Sequence, residues 1–115
     1  MTNATLTIEM QGDSILAVAG EVDSTAIDAL TCASDALGAH SRIDLSKVSF
    51  MDSSGIAWLL ATKTSAEVRN GTVTLISPSQ TVFRLLQVCG LTEVFEIICE
   101  TRTHVSEQES PTQLC

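Results

Sequence analysis

The residues best suited to chemistry lie in one short segment, residues 44–56, which reads DLSKVSFMDSSGI. Near its end, Asp52 is followed by Ser53, Ser54 and Gly55, at the point where a helix is predicted to begin. Free backbone N–H groups and the positive end of the helix dipole lie at such a start. Because Gly55 has no side chain, another molecule could approach the backbone closely there. This pattern favours an exposed serine that accepts or binds phosphate.

The same residues also form an ordinary helix-capping sequence. Ser53 or Ser54 could cap the helix, and Gly55 would relieve crowding in its first turn. Residue types alone leave both interpretations open, the structural cap and the phosphate site.

A hydrolase is a further alternative, because an Asp-Ser pair and two histidines are present. However, His104 lies in a polar C-terminal stretch, His40 lies in a predicted turn, and no Gly-x-Ser-x-Gly motif occurs. The sequence therefore predicts no catalytic residues and a protein that is not an enzyme.

The four cysteines are Cys32, Cys89, Cys99 and Cys115, and none forms a close CxxC pair. A zinc site is therefore weakly supported, and we expect neither a metal nor another cofactor. Free, buried thiols are expected at Cys32 and Cys89, and an exposed thiol at Cys115.

An opening hairpin is predicted ahead of this segment. Apolar and polar residues alternate over 6–10, which indicates a half-buried strand, and Gly12-Asp13 is typical of a turn. Residues 15–19 then form the returning strand, which Gly20 is expected to end.

Helices and strands alternate after the hairpin, which predicts an α/β fold with a mixed β-sheet and helices packed against it. The predicted elements are a helix capped by Asp23 or Ser24 and ended by Gly38, a buried strand at 43–45 with a loop to Asp52, a helix from Ser53 or Ser54 to Asn70-Gly71, a strand at 72–76, a helix from 77–79 to Gly90, and a strand at 94–98.

Apolar residues at helical spacing define the expected inner faces of these helices. The predicted buried positions are Ile27, Leu30, Ile56, Leu59, Leu60, Thr64, Val82 and Leu86.

Composition restricts the possible partners. The chain has 115 residues, 44% of them apolar, which is enough for one packed domain. Its net charge of −8 disfavours direct contact with nucleic acid and is compatible with a partner that offers a basic surface. No targeting or membrane-spanning segment is recognisable, so a cytoplasmic location is expected. Residues 100–115 read as a polar tail.

The segment ending FMDSSG resembles the signature of the STAS domain family, specifically its bacterial anti-sigma-factor antagonists. The run from Gly20 to Asp23, GEVD, resembles the stretch before the first helix in that family, and residues 77–95 fit its last helix and strand. The resemblance implies a single STAS-like domain at residues 5–99.

The resemblance also implies a function. Unphosphorylated family members bind an anti-sigma factor, a serine kinase of the histidine-kinase-like ATPase fold, which then releases its sigma factor. The kinase phosphorylates the serine that follows the aspartate, here Ser53, and a serine phosphatase removes the phosphate. Asp23 matches an acidic residue near the acceptor. The predicted partner-binding residues are Asp23, Asp52, Ser53, Ser54 and Gly55.

Two alternatives keep the fold and change the role. The chain could be a STAS interaction module of another assembly, in lipid transport or stress signalling. It could also be a redox-regulated antagonist that uses cysteines in place of phosphorylation, which the cysteine spacing neither supports nor excludes.

Overall fold

Five strands and three α-helices form the part of the chain that the computed structural model describes, residues 6–11 and 14–99. They are β1 (Leu6–Gln11), β2 (Ile15–Val22), α1 (Ile27–Asp35), β3 (His40–Met51), α2 (Ser53–Val68), β4 (Thr72–Ile76), α3 (Gln80–Val88) and β5 (Glu96–Ile98). A 3-10 turn, Ser24–Ala26, leads into α1. The predicted turn at 12–13 and the predicted tail at 100–115 lie outside the described residues.

The strands form one mixed sheet in the order β1-β2-β3-β4-β5, so the predicted fold class is confirmed. β1 pairs with β2 in antiparallel fashion, and the other neighbours are parallel. Parallel neighbours need a crossover connection, which α1, α2 and α3 provide. The register places one row of apolar residues across the sheet, Leu16, Ile43, Leu75 and Ile97.

β3 is longer than predicted. The sequence indicated a loop after residue 45, whereas the strand continues to Met51. β2 runs from Ile15 to Val22 while its partner runs from Arg42 to Met51, so β3 carries two extra residues. They are accommodated at two register shifts, which are β-bulges. The bulges replace alternating burial with burial at every third residue, namely Leu45, Val48 and Met51. That spacing does not resemble a strand, which explains the wrong prediction.

The first bulge is stabilised by the side chain of Asp44. Its Oδ1 accepts hydrogen bonds from the backbone N–H of Ser46 at 2.9 Å and from the Ser46 hydroxyl at 2.7 Å. The Asp-Leu-Ser stretch therefore has a structural role within β3.

Two glycines depart from their predicted roles. Gly20 does not end β2, which continues to Val22; its φ of +103° lies at the second register shift. Gly38 has no positive φ. α1 ends at Asp35, and the backbone N–H groups of Ala36 and Leu37 donate to the last turn of the helix.

The predicted core is largely confirmed. Leu30, Ile56, Leu59, Val82 and Leu86 are buried, and Ile27 is half-buried. The prediction was wrong for two residues of α2, since Leu60 is 36% exposed and Thr64 is exposed. Trp58 is buried in their place.

The remaining boundaries agree closely with the sequence. β4 occupies the predicted residues, and Ser79 caps α3 through a hydrogen bond from the Val82 backbone N–H. α3 ends as expected before Gly90, whose φ is +72°. β5 is shorter than predicted. No helix within 6–11 and 14–99 is long and apolar enough to cross a membrane.

Candidate functional site

The parallel pairing of β2 and β3 brings Asp23 and Asp52 to the same edge of the sheet. Val22 and Met51 are register partners at the ends of these strands, and each aspartate is the next residue. The backbone N–H of Asp52 donates to the Val22 carbonyl at 3.2 Å. Because neighbouring strands lie about 4.8 Å apart, the two acidic residues leave the sheet side by side.

Asp52, and not a serine, caps α2. Its backbone is extended, and its Oδ1 accepts a hydrogen bond from the Ser54 backbone N–H at 2.9 Å. The alternative interpretation, in which Ser53 or Ser54 caps the helix, is therefore wrong. A carboxylate acceptor at this position is favoured because it also interacts with the positive end of the helix dipole.

Because Asp52 is the cap, the Ser53 hydroxyl is not needed to cap α2. Ser53 is the first residue of α2 and is exposed, and its hydroxyl has no hydrogen-bond partner among the described residues. Ser54 is half-buried. Of the two serines, Ser53 is thus the one whose hydroxyl is more accessible to a second protein.

Asp23 caps the 3-10 turn in a similar way. Its Oδ1 accepts from the Thr25 hydroxyl at 2.6 Å and from the Thr25 backbone N–H at 3.0 Å. Together, and with the side-chain bond as the largest effect, these bonds lower the pKa of Asp23, since they stabilise its ionised form. The carboxylate therefore stays charged to a lower pH than an ordinary aspartate.

Gly55 lies in the core, and packing within the domain explains why this residue is a glycine. A Cβ at this position would lie 2.4 Å from Met51 Cγ and 2.9 Å from Val22 Cγ1. The absence of a side chain lets the start of α2 pack closely on the ends of β2 and β3. A contact between Gly55 and a partner stays a prediction.

Phe50 adds an apolar feature that the sequence analysis did not single out. It is 46% exposed, lies two residues before Asp52, and is the register partner of Glu21. The sequence feature that could have indicated its exposure is the spacing of Leu45, Val48 and Met51. These three residues are the buried ones, and Phe50 does not fall on their spacing. Because successive side chains of a strand point to opposite faces and Met51 packs against Gly55 of α2, Phe50 lies on the other face of the sheet.

The outer face of α2 offers a separate exposed surface. One stripe of exposed, uncharged residues recurs at helical spacing along α2: Ser53, Ala57, Leu60, Ala61, Thr64 and Val68. The adjacent ion pair between Lys63 and Glu67 lies beside this stripe. We call these six residues the α2 face.

His40 lies too far from Ser53 to form a hydrolytic triad with it. His40 begins β3 and its Nδ1 lies 3.2 Å from the Thr72 hydroxyl, whereas Ser53 follows the opposite end of that strand. A strand of this length places the two residues about 35 Å apart. His104 lies outside the described residues, within which no cluster of potential metal ligands occurs.

The predicted burial of two thiols was wrong. Cys32 on α1 and Cys89 at the end of α3 are both free and exposed. Cys32 occupies the outer side of its helix, and Cys89 follows the last turn of α3, where the helix leaves the sheet. Cys115 lies outside the described residues.

Comparisons with known proteins agree with this geometry. A family model described as "Mlab, STAS domain" matches residues 6–98. The anti-sigma-B factor antagonist of Listeria monocytogenes is 34% identical over 84 residues, which cover 70% of this chain and 74% of the relative. The corresponding protein of Listeria innocua shows the same identity and coverage.

Two solved structures have the same fold. The anti-sigma factor antagonist SpoIIAA in its unphosphorylated form superimposes with a TM-score of 0.69 and 26% identity, covering 85% of this chain and 90% of that one. The Bacillus cell fate determinant SpoIIAA in the phosphorylated form gives a TM-score of 0.65 at 24% identity, with coverage of 85% and 93%.

Proposed function

The chain belongs to the STAS domain family and groups within it with the anti-sigma-factor antagonists, and on this premise we propose that it binds an anti-sigma factor while Ser53 is unphosphorylated. Binding releases the sigma factor, and phosphorylation of Ser53 ends the interaction. The anti-sigma factor is itself the serine kinase, of the histidine-kinase-like ATPase fold, and a serine phosphatase restores the active form. The protein is a regulatory binding module of the cytoplasm and not an enzyme.

One observation carries this proposal: Asp52 caps α2, and Ser53, at the first helical position, is exposed and has no hydrogen-bond partner for its hydroxyl among the residues described. A hydroxyl needed as a cap could not be modified without weakening the helix. Here the acceptor can gain or lose phosphate while the cap persists. The switch therefore needs no change of fold.

The charge of the phosphate explains why binding would be lost. Phosphorylation adds about −1.5 to −2 charges at neutral pH. They would lie beside Asp52 and Asp23, at a surface that contacts the partner. The dipole of α2 offsets part of the repulsion within the domain. A partner surface fitted to a neutral hydroxyl accepts neither the bulk nor the charge.

We assign the α2 face, with Asp23 and Ser54 at its edge, as the partner surface. It combines an apolar stripe with carboxylates at one end. Such a surface is complementary to a groove that is apolar along its length and basic where it receives the start of α2.

The test is a reconstitution with the anti-sigma factor and sigma factor of the source organism. Adding the unphosphorylated protein to the preformed anti-sigma–sigma complex should release the sigma factor, measured by size-exclusion chromatography. If no complex with the anti-sigma factor forms, the proposed function is wrong. A STAS module of another assembly would give that outcome. A thiol-controlled antagonist would instead release the sigma factor only under one redox condition.

Removing the charge of Asp23 should weaken this complex. We expect Asp23→Asn to raise the dissociation constant about three- to tenfold, because the amide oxygen still accepts from Thr25 while the partner loses a charge interaction. Asp23→Lys should have a larger effect. Isothermal titration calorimetry measures both.

Asp28→Asn is the matched control, because Asp28 is an exposed aspartate on α1. It should bind like the wild type. Circular dichroism melts of all three variants establish that the fold is retained. Unchanged affinity in both Asp23 variants would exclude Asp23 from the interface.

A further inference from the structure

A second site lies between α1 and α2 and shares only Ala61 with the α2 face. It is a cleft of about 70 Å³. Trp58 and Leu37 supply apolar walls, and Ser34 accepts a hydrogen bond from Trp58 Nε1 at 3.4 Å. A cleft of this volume has room for a small molecule.

A buried hydroxyl in this cleft has no partner among the described residues. Ser41, on β3, is 3% exposed and lines the cleft, and its hydroxyl makes no hydrogen bond to any of the described residues. Buried polar groups in native proteins almost always have a hydrogen-bond partner. A molecule held in the cleft would provide the missing bond.

Two opposite charges at the cleft select the class of molecule. Asp35 on α1 and Arg69 after α2 both line it. Neither forms an ion pair within the described part of the chain, and Arg69 Nε donates only to the Ser65 carbonyl, at 3.4 Å. A molecule with a single charge would be attracted by one of these residues and repelled by the other. A small zwitterion satisfies both.

We propose that this cleft binds a small zwitterion of the α-amino-acid class. Its carboxylate accepts from the Ser41 hydroxyl and the Arg69 guanidinium, its ammonium group faces Asp35, and its carbon atoms contact Trp58. A ligand this small binds with a dissociation constant on the order of millimolar. The proposal is independent of the switch at Ser53.

Trp58 makes the test direct, because it is the only tryptophan of the chain and lies in the cleft wall. The purified full-length protein is titrated with glycine, with acetate and with ethylammonium, and Trp58 emission is recorded. Glycine should give a saturable change in the millimolar range. Acetate and ethylammonium each carry one of the two charges and should need at least tenfold higher concentrations.

Ser41→Ala is the decisive variant. It removes a hydroxyl that has no partner within the described part of the chain, so the fold should be retained, as a melting curve will establish. The glycine concentration at half of the emission change should rise at least tenfold in this variant. A nonspecific effect of glycine on Trp58 emission would instead be the same in the variant and the wild type. The proposal is overturned by the absence of a saturable glycine signal, by equal midpoints for the three probes, or by an unchanged midpoint in Ser41→Ala.

Discussion

Phosphorylation of Ser53 is expected to weaken binding of the anti-sigma factor at least about a hundredfold. A loss of about 3 kcal/mol is sufficient for this change. Desolvating a phosphate against a surface fitted to a hydroxyl, next to Asp52 and Asp23, provides a penalty of that order. The measurement is a titration of the anti-sigma factor with the unphosphorylated protein and with protein phosphorylated to completion by the kinase.

Substitutions separate the hydroxyl from its modification. Ser53→Ala should not accept phosphate at this position and should bind the anti-sigma factor as the unphosphorylated protein does. Its melting temperature should be unchanged, because Asp52 and not Ser53 caps α2. Ser53→Asp adds one charge and lacks the shape of phosphate, so it should bind more weakly than Ser53→Ala but more strongly than the phosphorylated protein.

Ser54→Ala is the matched control for this experiment. It removes the neighbouring, half-buried hydroxyl and should still be phosphorylated at Ser53. Peptide mass spectrometry after incubation with kinase and ATP locates the phosphate. Phosphate on Ser54 alone would show that the acceptor is the neighbouring serine. The absence of phosphate on both, with a kinase that modifies another antagonist in the same tube, would leave a binding module without this switch.

Local signals in the sequence were sufficient for most of the fold. The alternation over 6–10, the β-branched residues of 72–76 and the Ser-Pro-Ser helix start each specify one element, and the structure agrees with all three. The order of elements then fixed a mixed sheet, because strands joined through helices run parallel. These predictions needed no information about distant contacts.

The region around the candidate site was less predictable because it depends on pairing between strands. The bulges of β3 arise where its register shifts against β2, and no local pattern reports such a shift. For the same reason, the sequence could not show that Asp23 and Asp52 leave the sheet together. The choice of cap was also undetermined, since Asp52, Ser53 and Ser54 are all good capping residues.

The inner face of α2 was ambiguous for a different reason. Residues 55–61, GIAWLLA, contain no polar residue, so periodicity cannot show which side faces the core. The packing of α1 beside α2 determines which side of α2 is buried, because Trp58 donates a hydrogen bond to Ser34 on α1. This second neighbour turns Leu59 inward and leaves Leu60 on the α2 face.

Truncation of two adjacent leucines should therefore affect two different properties, stability at Leu59 and partner binding at Leu60. Leu59 is fully buried, so Leu59→Ala should lower the free energy of unfolding by about 2–5 kcal/mol, because it removes buried methyl groups and leaves a cavity. In a domain of this size that corresponds to a decrease in melting temperature of about 8 °C or more. Chemical denaturation and calorimetry measure both quantities.

Leu60→Ala should change stability by less than about 1 kcal/mol, because the side chain is 36% exposed. It should instead weaken binding of the anti-sigma factor about tenfold, as expected for an apolar contact near the centre of the α2 face. The two variants remove the same atoms from neighbouring positions of one helix, so composition and helix propensity are matched. Equal destabilisation by both would place Leu60 in the core, and normal binding by a stable Leu60→Ala protein would remove the middle of α2 from the partner surface.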